Sequence, residues 1–308
     1  MDHSGHDLGS AGAVVAARGR LGRLPPQWYF VVSAVFHYLG PSFAVLLFAR
    51  VDVLGVAWLR IASAAAILAV WRRPWRFVRR LDRRGRRALV GLGAVLAAMN
   101  TVFYLAVDRL PLSTVGAIEF LGTVLLAALG TRTRRNVAAL ALTTIGVAAI
   151  TTLRITGEPW GFVFAFINCA LFMLYVVLGH QIANAGPPAS GAGDHAIGGI
   201  DRLSAAMLVA ALVVTPIGLG GALTTLRQPQ LIFAGAAVGL CSSVVPYVTD
   251  QLAMARLPRA SFALMLALLP MFATVIGAVM LRQLPTVQDL FGIALVVAGV
   301  ALHRASSQ

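Results

Sequence analysis

The sequence predicts an all-α integral membrane protein, with ten transmembrane helices arranged as two inverted five-helix repeats. Three observations carry that expectation. Of 308 residues, 59% are hydrophobic and only 12% charged, with a mean hydropathy of +0.84, whereas a soluble domain has about a quarter of its residues charged. Apolar runs recur at the length of roughly 20 residues that a spanning helix requires. The two halves of the chain also share a faint internal similarity.

Taken in order, residues 1–27 are rich in Gly and Ala, carry Asp2, His3, His6 and Asp7, and read as a disordered tail. The apolar run that follows is too long for a signal-peptide core and is not followed by a small-residue cleavage site. The expected spans are 28–49, 54–71, 88–107, 113–130, 137–153, 160–180, 203–222, 231–255, 260–281 and 287–303. Turn signals separate them at Arg73–Pro74, Leu110–Pro111, Pro187–Pro188, Leu257–Pro258 and Leu284–Pro285. Span 54–71 is short and carries Arg60, and 203–222 contains Pro216, which neighbouring helices can accommodate. The units are therefore 28–153 and 160–303, joined by an outer linker at 154–159 and followed by a tail at 304–308.

All 25 basic side chains are arginine. Arginines near spans are retained in the cytoplasm. With the N-terminus inside, nineteen of them fall in cytoplasmic segments, nine in Arg72–Arg87 alone, and five in outer loops at Arg50, Arg109, Arg154, Arg227 and Arg282. Both termini are thus expected in the cytoplasm of a multi-pass plasma-membrane protein. The same rule accounts for the Arg72–Arg87 loop, so no nucleic-acid partner is assigned. Cys169 and Cys241 lie inside apolar segments and read as packing residues, with neither a disulfide framework nor metal spacing. Trp28, Tyr29, Trp71, Trp75 and Trp160 sit at span ends, as an interfacial belt does.

Shifting Met99–Thr123 by 147 positions lays it on Pro246–Pro270, matching Leu105, Ala106, Arg109, Leu110, Pro111 and Leu121 with Leu252, Ala253, Arg256, Leu257, Pro258 and Leu268. The match pairs the third span with the eighth and the fourth with the ninth. Trp28 and Trp160 likewise open the first and sixth spans, and the sequences around Gly146 and Gly299 agree. A repeat of five spans is odd in number, so the second copy crosses the membrane upside down. Inverted repeats of this kind build secondary transporters around a midplane site.

One layer of polar residues stands out. Glu119 lies about 9 Å, and Arg60 an equal six residues, below the outer ends of their spans at 1.5 Å per residue, with Asn100 at similar depth. Tyr104 shares a face with Asn100, and Glu119 lies in a stripe with Gly116, Gly122 and Thr123 that suits a helix contact or a cavity. Ionisable groups at such depth mark ion or substrate pathways. Glu119 then holds a substrate ammonium or carries a proton, with Arg60 alternating between Glu119 and a substrate carboxylate. The alternative is a permanent Arg60–Glu119 ion pair that only fixes helix register. His37 and Asn168, at mid-span in repeat-equivalent helices, are placed on the opposite wall or in helix packing. Tyr247 occupies the repeat position of Asn100 and follows Pro246, which can expose a backbone carbonyl. Asp250, near the inner end of its span, is expected in solvent.

The layout, together with MNTVFYL, RLPLSTVGAIEFLG, the VPY at Pro246 and RLPRASFALMLALLP, resembles the EamA-type permeases of the drug/metabolite transporter superfamily, and within it the threonine/homoserine exporter branch. The resemblance runs from about Trp28 to His303. The features typical of that branch fall on Arg60, Met99–Asn100 and Glu119–Gly122. The chain departs from it at Leu269–Pro270, where the family has Glu-Pro, at Leu281–Arg282, where it often has Gly-Glu, and at Thr123, where Pro is common. The resemblance implies an exporter of small metabolites, amino acids such as threonine or homoserine, with proton exchange as the drive. An exporter of drugs or other cationic or aromatic compounds, and a non-transporting scaffold or receptor, are the alternatives. No enzyme motif, cofactor motif or nucleotide site occurs. The expected partners are a small-molecule substrate, protons and membrane lipid, and no oligomeric state is set.

Overall fold

A computed structural model describes residues 25–79, 81–112, 114–116, 118–120, 122, 133–151, 158–184, 192–223, 225–282 and 285–302. The expected N-terminal tail up to residue 24, linker residues 154–157, Thr123, Pro187–Pro188, Leu284 and the 304–308 tail lie outside the described residues. Among the described residues all regular structure is helical.

Helix α1 (Pro26–Leu47) opens on a proline whose missing N–H has no helical partner to lose. Asp52 caps α2 (Val53–Arg72) by accepting from the Leu54 and Gly55 amides at 3.0 and 3.4 Å, and Arg73 closes it with a left-handed φ of 51°. Asp82 caps α3 (Arg83–Val107) in the same way through the Gly85 amide at 2.8 Å. The described residues between 112 and 122 form α4. There follow α5 (Arg134–Thr151), α6 (Pro159–Ala183), α7 (Ala192–Ala222), α8 (Pro229–Met254), α9 (259–281) and α10 (Val287–Leu302).

Among the described residues six helices are long and apolar enough to cross a membrane: α1, α2, α3, α6, the Gly198–Ala222 part of α7, and α8, with mean hydropathies of 1.8 to 2.4. Between 39 and 56% of each apolar window is buried inside the bundle. The outward faces carry side chains such as Val70, Leu212 and Phe233, as lipid contact requires. Shorter apolar helices cover Met271–Leu281 and Leu290–Gly299.

Three elements differ from the sequence expectation. α7 begins well before residue 203, because Asp201 and Arg202 find partners inside the protein: Arg72 pairs with Asp201 at 2.7 Å, and Arg202 donates to the Ile182 carbonyl at 3.0 Å. α9 tightens to a 3-10 turn at Leu266–Leu268, just ahead of Pro270, which has no N–H for the Leu266 carbonyl. α8 widens to a π-helical segment at Leu240–Val244 before Pro246. In the belt, Trp28, Trp71, Trp75 and Trp160 are exposed, but Tyr29 is buried beneath the Arg256 guanidinium, 5.0 Å above its ring.

α2 and α7 pack antiparallel. Trp58 Nε1 donates to Thr215 Oγ1 at 2.9 Å, and Ser204 Oγ to the Leu68 carbonyl at 3.1 Å. α5 and α10 pack antiparallel as well, with Arg135 Nε on the Leu302 carbonyl at one end and Gln288 Nε2 on that of Ala149 at the other. α3 lies against α6 and α7, and α8 against α1 and α2. Asn184 Nδ2 reaches the Met254 carbonyl at 3.1 Å, so the ends of α2, α6 and α8 and the start of α1 gather at one arginine-rich end. At the other end Arg109 Nε meets Glu158 at 3.4 Å, tying the end of α3 to the start of α6.

α8 seats closely on α2 at Gly239, where a Cβ would meet Ser63 Oγ and stand 2.7 Å from the Arg60 carbonyl oxygen. Gly239→Val should therefore force the two helices apart at a cost of about 1–3 kcal/mol. Thermal unfolding in detergent should show a lower midpoint for this variant. Gly220→Ala, whose Cβ would meet nothing within 4 Å, should leave the midpoint unchanged or slightly raised.

Candidate functional site

α4 brings Glu119 into the bundle. One turn before and after it, a Cβ at Gly116 or Gly122 would stand 2.7 Å from the Tyr38 hydroxyl or Cys169 Sγ. Having none, α4 seats closely between α1 and α6. Glu119 is 2% exposed, and its Oε1 accepts from Asn168 Nδ2 of α6 at 3.0 Å. His37 Nε2 of α1 stands 4.0 Å from Oε2. The His37 ring is wedged between the Tyr38 and Phe172 rings at 5.6 and 5.7 Å.

On the facing side, Arg60 of α2 is 4% exposed. Its Nε donates to Ser243 Oγ at 2.9 Å and its Nη2 to the Ser242 carbonyl at 2.6 Å. That carbonyl is available for a chemical reason: the residue four places on is Pro246, which has no N–H to offer it. The guanidinium also lies over the Tyr104 ring, 5.2 Å from its centroid, where the π-face favours a cation. Asn100 of α3 donates to the Leu96 carbonyl at 2.7 Å and accepts from the Tyr247 hydroxyl of α8 at 3.0 Å.

Six of the seven candidate residues, His37, Arg60, Asn100, Glu119, Asn168 and Tyr247, line one cavity together with Pro41, Met99 and Phe103. Tyr104 sits behind Arg60. A water-sized sphere can place its centre in about 10 Å³ of this cavity, roughly one water's worth. Several buried polar atoms around it make no well-formed hydrogen bond: Glu119 Oε2 and the nearby Tyr38 OH, Asn168 Oδ1, and Tyr104 OH with the nearby Ser242 Oγ. Such atoms are rare in folded proteins, and five of the seven found among the described residues gather here.

One alternative is not found and one expectation is corrected. Arg60 and Glu119 share the cavity without forming an ion pair, because the π-segment of α8 holds the guanidinium. Asp250 is 2% exposed rather than solvated, since the C-terminal end of α8 is covered by α1 and α6. Ser242 and Ser243 are functional neighbours that sequence reasoning did not single out. Their signal was the position of Pro246, which frees a carbonyl one turn before it.

A polytopic helical bundle enclosing a small chamber of ionisable side chains is the build of a membrane permease. The comparisons with known proteins agree. The chain is 29% identical over 266 residues, 84% of each chain, to the threonine/homoserine exporter RhtA of Escherichia coli K12. It is 27% identical over 265 residues, again 84% of each, to RhtA of Salmonella typhimurium LT2. A crystal structure 17% identical in sequence superposes with a TM-score of 0.61 over 90% of this chain and 96% of its own, which shows the fold. No family model matches the chain. The chain is thus similar, over most of its length, to RhtA exporters, and its long apolar helices are those of a multi-pass membrane protein whose named relatives are exporters and not enzymes.

The Asn100–Tyr247 bond is open to direct measurement. Asn100→Ala leaves the buried Tyr247 hydroxyl without its acceptor and should cost about 1–3 kcal/mol; Tyr247→Phe strands the Asn100 Oδ1 instead, and only the double variant removes both partners. In a double-mutant cycle read by unfolding in detergent, the double variant should be no worse than Asn100→Ala alone. Additive losses would show that the bond contributes nothing.

Proposed function

We propose that the protein is an inner-membrane exporter of small zwitterionic amino acids of the threonine and homoserine kind, exchanged for protons. The observation that carries this reading is the pairing of opposites across one cavity. Glu119 Oε2 and Asn168 Oδ1 are buried acceptors with no well-formed hydrogen bond, and Arg60 uses two of its N–H donors in its bonds to α8 and has five in all. An ammonium suits the first wall and a carboxylate the second, which is the charge pattern of a free amino acid. The relatives named as threonine/homoserine exporters support the cargo. A cation without a carboxylate would face Arg60 uncompensated, which weighs against cationic drugs.

The cavity admits little more than one water, so cargo enters only when helices part. Two inverted five-helix units, 28–153 and 160–303, supply the means by rocking against each other. The packing supports this architecture. α2 lies antiparallel to α7 and α5 to α10, which are repeat-equivalent pairs, and the contact of α3 with α6 is mirrored by that of α8 with α1. Asn100 and Tyr247, equivalent under the 147-residue shift, touch each other as residues near a twofold axis must. Both termini are then cytoplasmic, in keeping with the arginine-rich end. Glu119 carries the proton when cargo is absent and meets the ammonium when it is present.

The test is threonine uptake into everted membrane vesicles with an imposed pH gradient. Wild-type protein should accumulate threonine and homoserine. Glu119→Gln, folded and inserted normally, should lose about tenfold or more of the flux together with its pH dependence. Arg60→Ala should lose flux while retaining binding of a simple amine. Unchanged flux in Glu119→Gln would remove the carboxylate from the pathway, preferred competition by cationic drugs would reassign the cargo, and absence of any flux would favour a scaffold.

A further inference from the structure

A second buried acid lies outside the cavity. Asp250, in the last turn of α8 toward the arginine-rich end, is joined to α1 through Ser33, whose hydroxyl donates to Oδ1, and to α6 through Tyr175, whose hydroxyl lies 3.3 Å from Oδ2. Ser33 Oγ is also 3.2 Å from the Pro246 carbonyl. A hydroxyl has one proton to give and two lone pairs with which to accept. Ser33 can therefore serve both forms of the acid. It donates to the carboxylate or, when Asp250 carries a proton on Oδ1, accepts that proton's bond and turns its own O–H to Pro246.

The charged and titratable surroundings are sparse. Among the described residues no cation pairs with Asp250. The titratable groups facing it are Tyr175 from α6 and Tyr247 one turn back on α8, whose rings lie 5.3 Å apart. On α1, Tyr29 and His37 stand one turn to either side of Ser33, and Arg256 at the end of α8 is engaged over Tyr29. The step from Ser33 to His37 is about 6 Å along α1. Asp250 thus occupies a layer between the cavity and the arginine-rich end, and Tyr247 reaches from its neighbourhood to Asn100 in the cavity wall.

We propose that Asp250 is a second proton-exchanging acid of this permease, serving the arginine-rich side while Glu119 serves the cavity, with Ser33 as its positioning residue. The step balances simply. A hydronium from that side transfers a proton to Asp250 Oδ1 and leaves water; Ser33 turns its O–H to the Pro246 carbonyl; release to water reverses both. Because the donors come from α1 and α6 and the acid from α8, its protonation state alters the bonding between helices that must separate for that side to open. This deepens the proton-exchange reading of the preceding subsection and rests on it for the role in transport.

The experiment has two arms, so that failure of either reading is seen separately. pH-difference infrared spectroscopy of the purified protein follows protonated carboxyl groups without any cargo. Asp250→Asn should lose a carboxyl band different from the one lost in Glu119→Gln, and Ser33→Ala, which keeps the acid, should shift the Asp250 midpoint by about half a pH unit or more. In proteoliposomes, Asp250→Asn should lose about fivefold or more of gradient-driven threonine accumulation, while threonine counterflow without a gradient stays within about twofold of wild type. A wild-type carboxyl spectrum in Asp250→Asn, or an unshifted one in Ser33→Ala should the first variant not fold, overturns the proposal. So does full gradient-driven accumulation in Asp250→Asn. Absence of threonine transport by wild-type protein removes the assigned cargo, and the infrared arm still decides whether Asp250 exchanges a proton.

Discussion

The bond between the Arg60 guanidinium and the Ser242 carbonyl is the constraint on which the centre of this molecule depends. A guanidinium does not lose its proton in a protein, so burying one in a bundle of apolar helices requires permanent partners. α8 supplies them by departing from regular helix. Its π-helical segment and Pro246 together leave a backbone oxygen without a helical donor, and Arg60 takes it, with Ser243 and the Tyr104 ring completing the nest. The close seat of Gly239 on α2 keeps that segment within reach.

Because Arg60 is satisfied by α8, Glu119 is released from any duty as its counter-ion. The acid is instead steadied through one oxygen by Asn168, and the other oxygen is left over beside His37. A permanent Arg60–Glu119 pair would be electrically quiet and would have nothing to offer a ligand. The observed arrangement keeps opposite charges around one cavity without pairing them: Arg60 is held by α8, and Glu119 by Asn168. The chamber's small volume follows from the same arrangement: small residues around Glu119 and at Gly239 let the helices close until little more than a water's space remains.

Much of this was legible in the sequence. Hydropathy located the apolar helices, since lipid demands long unbroken runs. The depth of Arg60, Asn100 and Glu119 along their spans put them in one layer, and in the structure they line one cavity with His37, Asn168 and Tyr247. The partners within that layer were not legible. Opposite charges at equal depth suggest an ion pair, but depth leaves helix rotation open, and a backbone carbonyl freed by Pro246 competes for the guanidinium without any side-chain signature. Asp250 was missed for a related reason. Its distance from the helix end indicated solvent, whereas the cover over it comes from Ser33 and Tyr175, hundreds or tens of residues away in the chain. α7 likewise ran past its expected start because Arg72 and Asp201 satisfy each other where hydropathy alone would have ended the helix.

The permanence of the Arg60 charge also bears on leakage. A passage that opens to both sides in turn, in a membrane holding a voltage, risks letting sodium and potassium follow their gradients. A fixed positive group in the lining raises the electrostatic barrier to any bare monovalent cation, just as positive groups guard water and anion pores. Since that group cannot be titrated away, the barrier stands at every ambient acidity, and under the proposed function a carboxylate-bearing cargo would neutralise it on arrival.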